Sequence, residues 1–372
     1  MTMNAAIYPT EPRTLSLESS PVRMRCIGGR CCIELEDGRV CVVEGAPHRF
    51  REVKVLGRGS LVGGHAGSPA ALLDESGLSL LSAPPAAGDT SSVKSPLRIP
   101  WALEGQRPIS LAATGAANAL VVGTDRWEVH WYRRRGSAFR RVSQLTADLG
   151  FDVIRNRPAA LYVDEDTCLV AGQQSLVALA LRSDPHQPRV RPIAGAARLL
   201  GRGSEPCAIV PCGQGLAVIA GDRIDWLRLL APEEAPEKLA RWGESTACNL
   251  PSSAAWVEPL GADMLLVQHG LDGKATDGFS FFRAGAGISE TVEAGYAAAV
   301  PGAPSEVLVV DPEALVVGLK PRVHAAKDEW LWRLVLDGLS ADSSGVWGLC
   351  ADENGLAHLG LGNALVMIGS ES

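Results

Sequence analysis

Short apolar runs separated by tight polar breaks recur along the whole chain. In "EPCAIVPCGQGLAVIAGDRIDWLRLL" (205–230), three runs of five to seven residues are divided by Gly-rich turns. The runs are bounded by Gly, Asp-Gly, Gly-Asn or Pro and are too short for most helices, so they predict strands. The same plan returns in "RPISLAATGAANALVVGTDRWEVHWYR" (107–133), "RPAALYVDEDTCLVAGQQSLVALALR" (157–182) and "AGYAAAVPGAPSEVLVVDPEALVVGL" (294–319). It returns again in "VRMRCIGGRCCIELEDGRVCVVEG" (22–45), "SLVGGHAGSPAALLDESGLSLLSA" (60–83) and "GVWGLCADENGLAHLGLGNALVMIG" (345–369). With "AAWVEPLGADMLLVQHGLDGKATDGFSFFR" (254–283), whose second turn is longer, eight copies are present.

First strands are predicted to begin near 22, 60, 109, 158, 206, 254, 296 and 345, at intervals of 38 to 49 residues. Several strands per unit at that period point to propeller blades; solenoid repeats of 20–33 residues do not fit. First and second strands, such as Ala208-Ile209-Val210 and Leu120-Val121-Val122, are almost continuously apolar. Such strands are buried on both faces, as in a sheet stacked between two others. The third strand "WEVHWYR" begins to alternate, with Trp127, Val129 and Trp131 on one side and Glu128, His130 and Tyr132 on the other. More polar fourth runs follow at "FREVKV" (50–55), "AFRRVS" (138–143), "EKLARW" (237–242) and "WLWRLVL" (330–336). Polarity rising outward is what a radial blade needs, since its outer edge meets water.

The last copy ends after three strands, and "TLSLES" (14–19) precedes the first copy with no unit of its own. That segment is expected to complete the last blade. The expectation is an all-β, closed β-propeller of eight four-stranded blades, with seven as the alternative count. Residues 1–13 are read as a flexible N-terminus and 14–372 as a single propeller domain.

From about 14 to 369 the chain resembles the β-propeller superfamily, in the manner of WD-repeat and other cytosolic propellers. It lacks the Gly-His/Trp-Asp pairing of each WD blade, so that family's recognition residues are not transferred. It also looks like the propeller component of bacterial systems that combine a MoxR-type ATPase with a von Willebrand A protein. That resemblance rests on high Ala, Gly and Arg content, degenerate repeats and the absence of a secretion signal.

Charge and chemistry narrow the function classes. With 35 Lys+Arg against 42 Asp+Glu the formal charge is −7, which disfavours nucleic acid and anionic membrane surfaces as partners. No run approaches the roughly 18 apolar residues of a membrane span, and "MTMNAAIYPTEPRTLSLESS" does not read as a secretory signal. Most of the nine cysteines, including Cys31, Cys32, Cys41, Cys168, Cys207 and Cys350, lie in apolar runs and read as small hydrophobes. No C-x-x-C pair supplies zinc or redox spacing. A cytoplasmic protein is the expectation.

No nucleophile elbow, P-loop, dinucleotide fingerprint or H-E-x-x-H motif occurs, and "LGRGS" (56–60 and 200–204) reads as a turn entering a blade. No catalytic residue, metal ligand or cofactor is assigned. His65, in "GGHAG", is expected near a central channel, where it would serve a hydrolase or lyase alternative as a proton carrier. "WYRRRGSAFRR" gathers Arg133, Arg134, Arg135, Arg140 and Arg141 about one hairpin, suited to an acidic partner. Long connections at 143–158, 194–206, 243–253, 268–278 and 337–345 are expected to share one face. Among them Asp148, Phe151, Asp152, Arg155 and Asn156 mix charge with an aromatic, as contact surfaces do. Segments 84–96 and 320–329 read as flexible decoration. Together these readings predict a protein-interaction scaffold that uses the long-loop face and serves protein partners, an AAA-type ATPase complex among them.

Overall fold

A computed structural model describes residues 13–27, 30–44, 52–63, 69–75, 77–81, 98–99, 106–114, 119–125, 128–135, 138–146, 159–172, 176–193, 206–231, 233–234, 237–270, 278–293, 295–311, 316–336, 346–352 and 356–368. After β1 (Arg13–Ser16), blade 1 consists of β2 (Pro21–Ile27), β3 (Arg30–Leu35), β4 (Arg39–Glu44) and β5 (Glu52–Arg58). Blade 2 has β6 (Ser60–Gly63), β7 (Ala70–Asp74), β8 (Gly77–Leu80) and β9 (Arg98–Ile99). Blade 3 has β10 (Pro108–Ala113), β11 (Ala119–Thr124), β12 (Glu128–Arg135) and β13 (Ala138–Thr146). Blade 4 has β14 (Ala160–Asp164), β15 (Thr167–Ala171), β16 (Leu176–Ala180) and β17 (Val190–Pro192). Blade 5 has β18 (Pro206–Cys212), β19 (Gly215–Ala220), β20 (Arg223–Leu229) and β21 (Trp242–Asn249). Blade 6 has β22 (Ala254–Pro259), β23 (Met264–His269), β24 (Phe279–Arg283) and β25 (Gly287–Val292). Blade 7 has β26 (Tyr296–Ala299), β27 (Glu306–Asp311), β28 (Val316–Pro321) and β29 (Trp332–Val335), and blade 8 has β30 (Val346–Ala351), β31 (Ala357–Leu361) and β32 (Ala364–Ile368).

Seven blades are four-stranded meanders in chain order, and the eighth has the order β1-β32-β31-β30. The fold is an eight-bladed β-propeller, as the period predicts. Arg13–Ser16 pairs antiparallel with β32, Arg13 opposite Met367 and Ser16 opposite Ala364, so the orphan N-terminal strand completes the last blade. Strands β11, β15, β23 and β31 are buried at every position, while the fourth strands β17, β25 and β29 hold no fully buried residue. Burial therefore falls from the second strand outward, as the apolar runs predict.

The strands form two compact units, 1–60 with 255–283 and 288–372, and 61–254 with 284–287. In the first unit the blade stack is visible in its core clusters. Leu308, Val310 and Val317 of blade 7 meet Leu349, Leu359 and Val366 of blade 8. Met24, Cys31 and Ile33 of blade 1 meet Cys350, Leu365 and Met367 on the other side of blade 8. Leu266 and Phe281 of blade 6 meet Val307 and Val309 of blade 7. In the second unit, Leu78 and Ile99 pack on Leu120 and Tyr132, Val129 and Trp131 on Leu161 and Val170, and Leu169 and Ala178 on Ile209 and Val218. Each buried leucine or valine contributes about 1.5–3 kcal/mol relative to exposure, so blade-to-blade burial carries the stability.

Three local expectations are corrected. "EKLARW" (237–242) is not the fourth strand of blade 5. It holds a 3-10 turn at Lys238–Ala240, and the strand runs later, over residues expected to be a long loop. Leu239 and Trp242 pack against the core between blades 4 and 5, so the apolar residues of that run serve a turn. Ser245, Thr246 and Ala247, turn-like in composition, pair with β20 across a register shift. Segment 320–329 is built rather than decorative: the buried Lys320 ammonium donates to the carbonyls of Ala325 (3.1 Å) and Lys327 (2.8 Å) across a 3-10 turn, and stacks on Trp330 at 4.3 Å. In β12, finally, His130, Trp131 and Tyr132 are all buried, because a register shift between Trp131 and Tyr132 and packing on both faces override simple alternation.

Candidate functional site

The first strands of blades 1, 6, 7 and 8 carry the most unusual chemistry in the first unit. Strand β2 alternates: Met24 and Cys26 join the core against blade 8, while Arg23 and Arg25 lie opposite Glu34 and Cys32 on the other face. Arg23 Nε sits 3.5 Å from Glu34 Oε2. Arg25 is only 7% exposed, and its guanidinium lies 4.7 Å from the centre of the Trp256 ring on β22. Burial pulls the Arg25 pKa down to about 9; neighbouring Arg23 adds to the drop and Glu34 opposes it.

Trp256 is itself held. Its Nε1 donates to Glu258 Oε1 at 3.1 Å, and Glu258 Oε2 accepts the Ala299 amide of blade 7 at 2.6 Å. Burial raises the Glu258 carboxyl above its ordinary range against these two hydrogen bonds. Gln268 ties blade 6 to blade 7: its Nε2 donates to the carbonyls of Gly278 and Gly295, and its Oε1 accepts the Ala297 amide at 2.9 Å. The Tyr296 hydroxyl donates to the Val346 carbonyl at 2.6 Å. Trp347 Nε1 donates to the Gly362 carbonyl at 2.8 Å, and its indole rests where a Cβ on Gly360 would come within 2.4 Å. Gly348 admits Met24 in the same way, with 2.9 Å between an added Cβ and that side chain. These contacts wall a cleft lined by Arg23, Arg25, Trp256, Gln268, Tyr296 and Trp347, with Met24, Ala297, Gly348 and Leu349. The cleft thus sets a cation beside aromatic faces, the Arg25 guanidinium stacking on Trp256.

The residues expected to bind a partner fall elsewhere. His65, Asp148, Phe151, Asp152, Arg155 and Asn156 lie outside the described residues. Arg133, Arg134 and Arg135 end β12, where Arg133 and Arg135 are exposed and Arg133 stacks on Trp131 at 4.9 Å. A second groove, in the second unit, is lined by Asp166, Thr167, Arg182, Ser183, Arg189, Glu237 and Leu239. Its charges are mutually compensated, Arg182 lying 3.5 Å from Asp166.

Three buried histidines have acid or hydroxyl partners. His130 Nε2 is 3.1 Å from Glu128 Oε2, His358 Nε2 is 3.1 Å from Asp352 Oδ2, and His269 Nε2 is 2.8 Å from Ser280 Oγ. All three rings are fully enclosed, and these pairs brace the blades from within. The thiols follow suit. Cys31, Cys32, Cys41, Cys168, Cys212 and Cys350 are buried, and burial raises the pKa of Cys168 and, to about 12, of Cys32. Among the described residues no group of three or more His, Cys, Asp or Glu is placed to hold a metal ion, and no helix is long and apolar enough to cross a membrane.

Sequence reasoning passed over Arg23, Arg25, Trp256 and Trp347. A signal existed: "VRMRC" places two arginines in a first strand, where the other copies are almost wholly apolar.

No family model and no curated protein matches the chain. Solved structures do. The crystal structure of BamB from Moraxella catarrhalis is similar with a TM-score of 0.50 and 13% identity, over 98% of this chain and 100% of that one. The Myceliophteria thermophila Cps50 (Swd1) β-propeller domain is similar at 0.48 and 10% identity, over 98% of this chain and 100% of that one. The WD40 β-propeller domain of Doa1 gives 0.46 and 8%, over 99% and 98%. At these identities the likeness is one of fold.

Proposed function

We propose that this propeller is a non-catalytic scaffold that docks protein partners through the ends of its blades. The observation that carries the reading is the cleft of the first unit, where two arginines and three aromatic side chains converge, Tyr296 hydrogen-bonded across to blade 8 and Trp256 and Trp347 held within their own blades. Arg, Trp and Tyr are the side chains that dominate binding energy at protein interfaces, and a rigid frame lowers the entropy lost on docking. The blade interiors are given over to packing, so loops and strand ends remain for recognition.

The long-loop face, with Asp148, Phe151, Asp152, Arg155 and Asn156, is the second element of the proposed docking surface, and the Arg133–Arg135 end of the third-to-fourth-strand hairpin is a separate, third one. We propose a cytoplasmic setting and an ATPase-containing bacterial assembly as the destination; the resemblance to the propeller component of MoxR/von Willebrand A systems supports that partner class. Affinity capture of the tagged chain from its native host, read by mass spectrometry, tests the reading. Enrichment of an ATPase or von Willebrand A protein, weakened by joint replacement of Arg133, Arg134 and Arg135 with Gln, is the expected result. Recovery of no specific partner overturns it.

A further inference from the structure

We propose that Cys31 and Cys350 are a modification site, a thiol pair that a small-molecule disulfide converts into a reversible covalent clasp between the first and last blades. This site goes beyond the scaffold reading and stands whatever docks on the blades.

Position is the first argument. Strand β3 turns Cys31, Ile33 and Leu35 toward blade 8, and blade 8 turns Cys350, Leu365 and Met367 back toward them. Cys31 and Cys350, each 1% exposed, therefore share one apolar core. There the two thiols are hydrogen-bonded to each other. Two sulfurs already in contact start within reach of an S–S bond, about 2 Å long. The other nearby thiols are placed differently. Cys26, opposite Cys31 on β2, acts on it through charge and not through a thiol hydrogen bond. Cys32 lies opposite Arg25 on the other face of the blade.

Topology supplies the second. Cys31 and Cys350 stand near opposite ends of the chain, so the bond would enclose roughly 320 residues. A cross-link acts largely by what it removes from the unfolded chain, and more so for a long loop. Strand β1 already ties the chain's start to blade 8 through backbone pairing with β32, which local opening can break. A disulfide survives such opening. It also suits its surroundings of Met24, Ile33, Leu365 and Met367, because an S–S group brings no donor that needs a partner.

Burial gates the reaction. It raises the Cys31 pKa, and the hydrogen bond from its partner together with burial raises that of Cys350, so thiolate is scarce while the blades are packed. Exchange starts when the junction of blades 1 and 8 opens. One thiol gives its proton to water, and the thiolate attacks the small disulfide. That S–S bond breaks, one small thiol leaves with a proton, and a mixed disulfide forms. The second protein thiolate then attacks the protein sulfur of the mixed disulfide and expels the second small thiol. The two cysteines lose two electrons, and the small disulfide is reduced to two thiols. A reducing glutathione pool keeps the pair as thiols, and oxidising conditions close the clasp.

Incubation of the full chain with oxidised glutathione in mild urea, which promotes opening, tests the site. Free thiols are then alkylated and tryptic peptides mapped by mass spectrometry without reduction. A Cys31–Cys350 link is expected, with fragmentation separating Cys31 from Cys32. After urea is removed, the thermal midpoint of the linked chain should lie about 3–7 °C above that of the reduced chain and return on addition of dithiothreitol. Cys31→Ala and Cys350→Ala, each checked for native circular dichroism, should lose both the link and the rise, while Cys26→Ala should keep both. A link through Cys26 or Cys32, glutathione adducts without an internal link, no reaction at all, or a linked chain that melts at or below the reduced midpoint overturns the proposal.

Discussion

Two arginine-rich places in this protein look alike in composition and differ in physics. The β12–β13 hairpin of the second unit carries Arg133, Arg134, Arg135, Arg140 and Arg141, and all but Arg134 of these are exposed. The β2 strand of the first unit carries only Arg23 and Arg25, yet Arg25 is buried against Trp256 with its pKa pulled down. Water screens the first group, so its charges discourage edge pairing and any attraction they exert on a partner falls with salt. In the second group Arg25 is shielded from water, where a charge is expensive to hold, while Arg23 is partly exposed beside Glu34. Density of charge along a chain thus says less about a site than the burial of one member.

Disrupting the frame around the buried arginine should have the largest effect. Gly360→Val forces a side chain into the Trp347 indole and should destabilise the fold by about 3 kcal/mol, the upper range for overpacking. Urea denaturation with unchanged m-value checks it.

Arg25→Met is next and opposite in sign. The folded pKa lies below the unfolded one, so at neutral pH, below both, the charge detracts from stability, and the deficit shrinks only as pH rises above about 9. Replacement by an apolar residue of similar length should raise stability by about 1–3 kcal/mol. A drop in thermal midpoint would show that the contacts of the buried cation stabilise the fold.

The same strand that ends in Arg133–Arg135 begins with a partly buried charge network, which gives a comparison within the second unit. Glu128 Oε2 accepts from Gln106 (2.7 Å), Gln144 (2.8 Å) and His130 (3.1 Å). Burial lowers the His130 pKa. A base with a lowered folded pKa makes stability fall as pH drops below its ordinary value of about 6.5, by at most about 1.4 kcal/mol per pH unit. Melting between pH 7.5 and 5.5 should show this loss, and His130→Gln should flatten it. Glu128, held below its ordinary range, adds its own loss only at lower pH.

The smallest effect belongs to the exposed arginines. Arg140→Gln with Arg141→Gln should alter stability by less than about 0.5 kcal/mol, as surface substitutions do. A larger change would mean that the hairpin is coupled to the core and that burial does not separate the two arginine groups.

Much of the architecture was legible because burial on both faces forces a distinctive composition. Runs such as Leu120-Val121-Val122 cannot be half-solvated, and their recurrence located the eight first strands to within two residues. The orphan "TLSLES" was legible for the same reason: a lone apolar–polar alternation needs a partner, and β32 supplies it. The fourth strand of blade 5 was not. Its pairing comes from β20's hydrogen bonds, and Ser245, Thr246 and Ala247 advertise a turn. The site was least legible, because Arg25 and Trp256 stand more than two hundred residues apart and only packing joins them.

By itself the sequence determined the repeat and the strand that completes the last blade, since both follow from local periodicity and from apolar surface that must be covered; between eight blades and seven, the structure decided for eight. Which side chains meet at the cleft, and that Arg25 is withheld from water while the Arg133–Arg135 run is not, was decided by tertiary structure. Desolvation and ring stacking depend on neighbours brought from distant blades, and no local pattern records them.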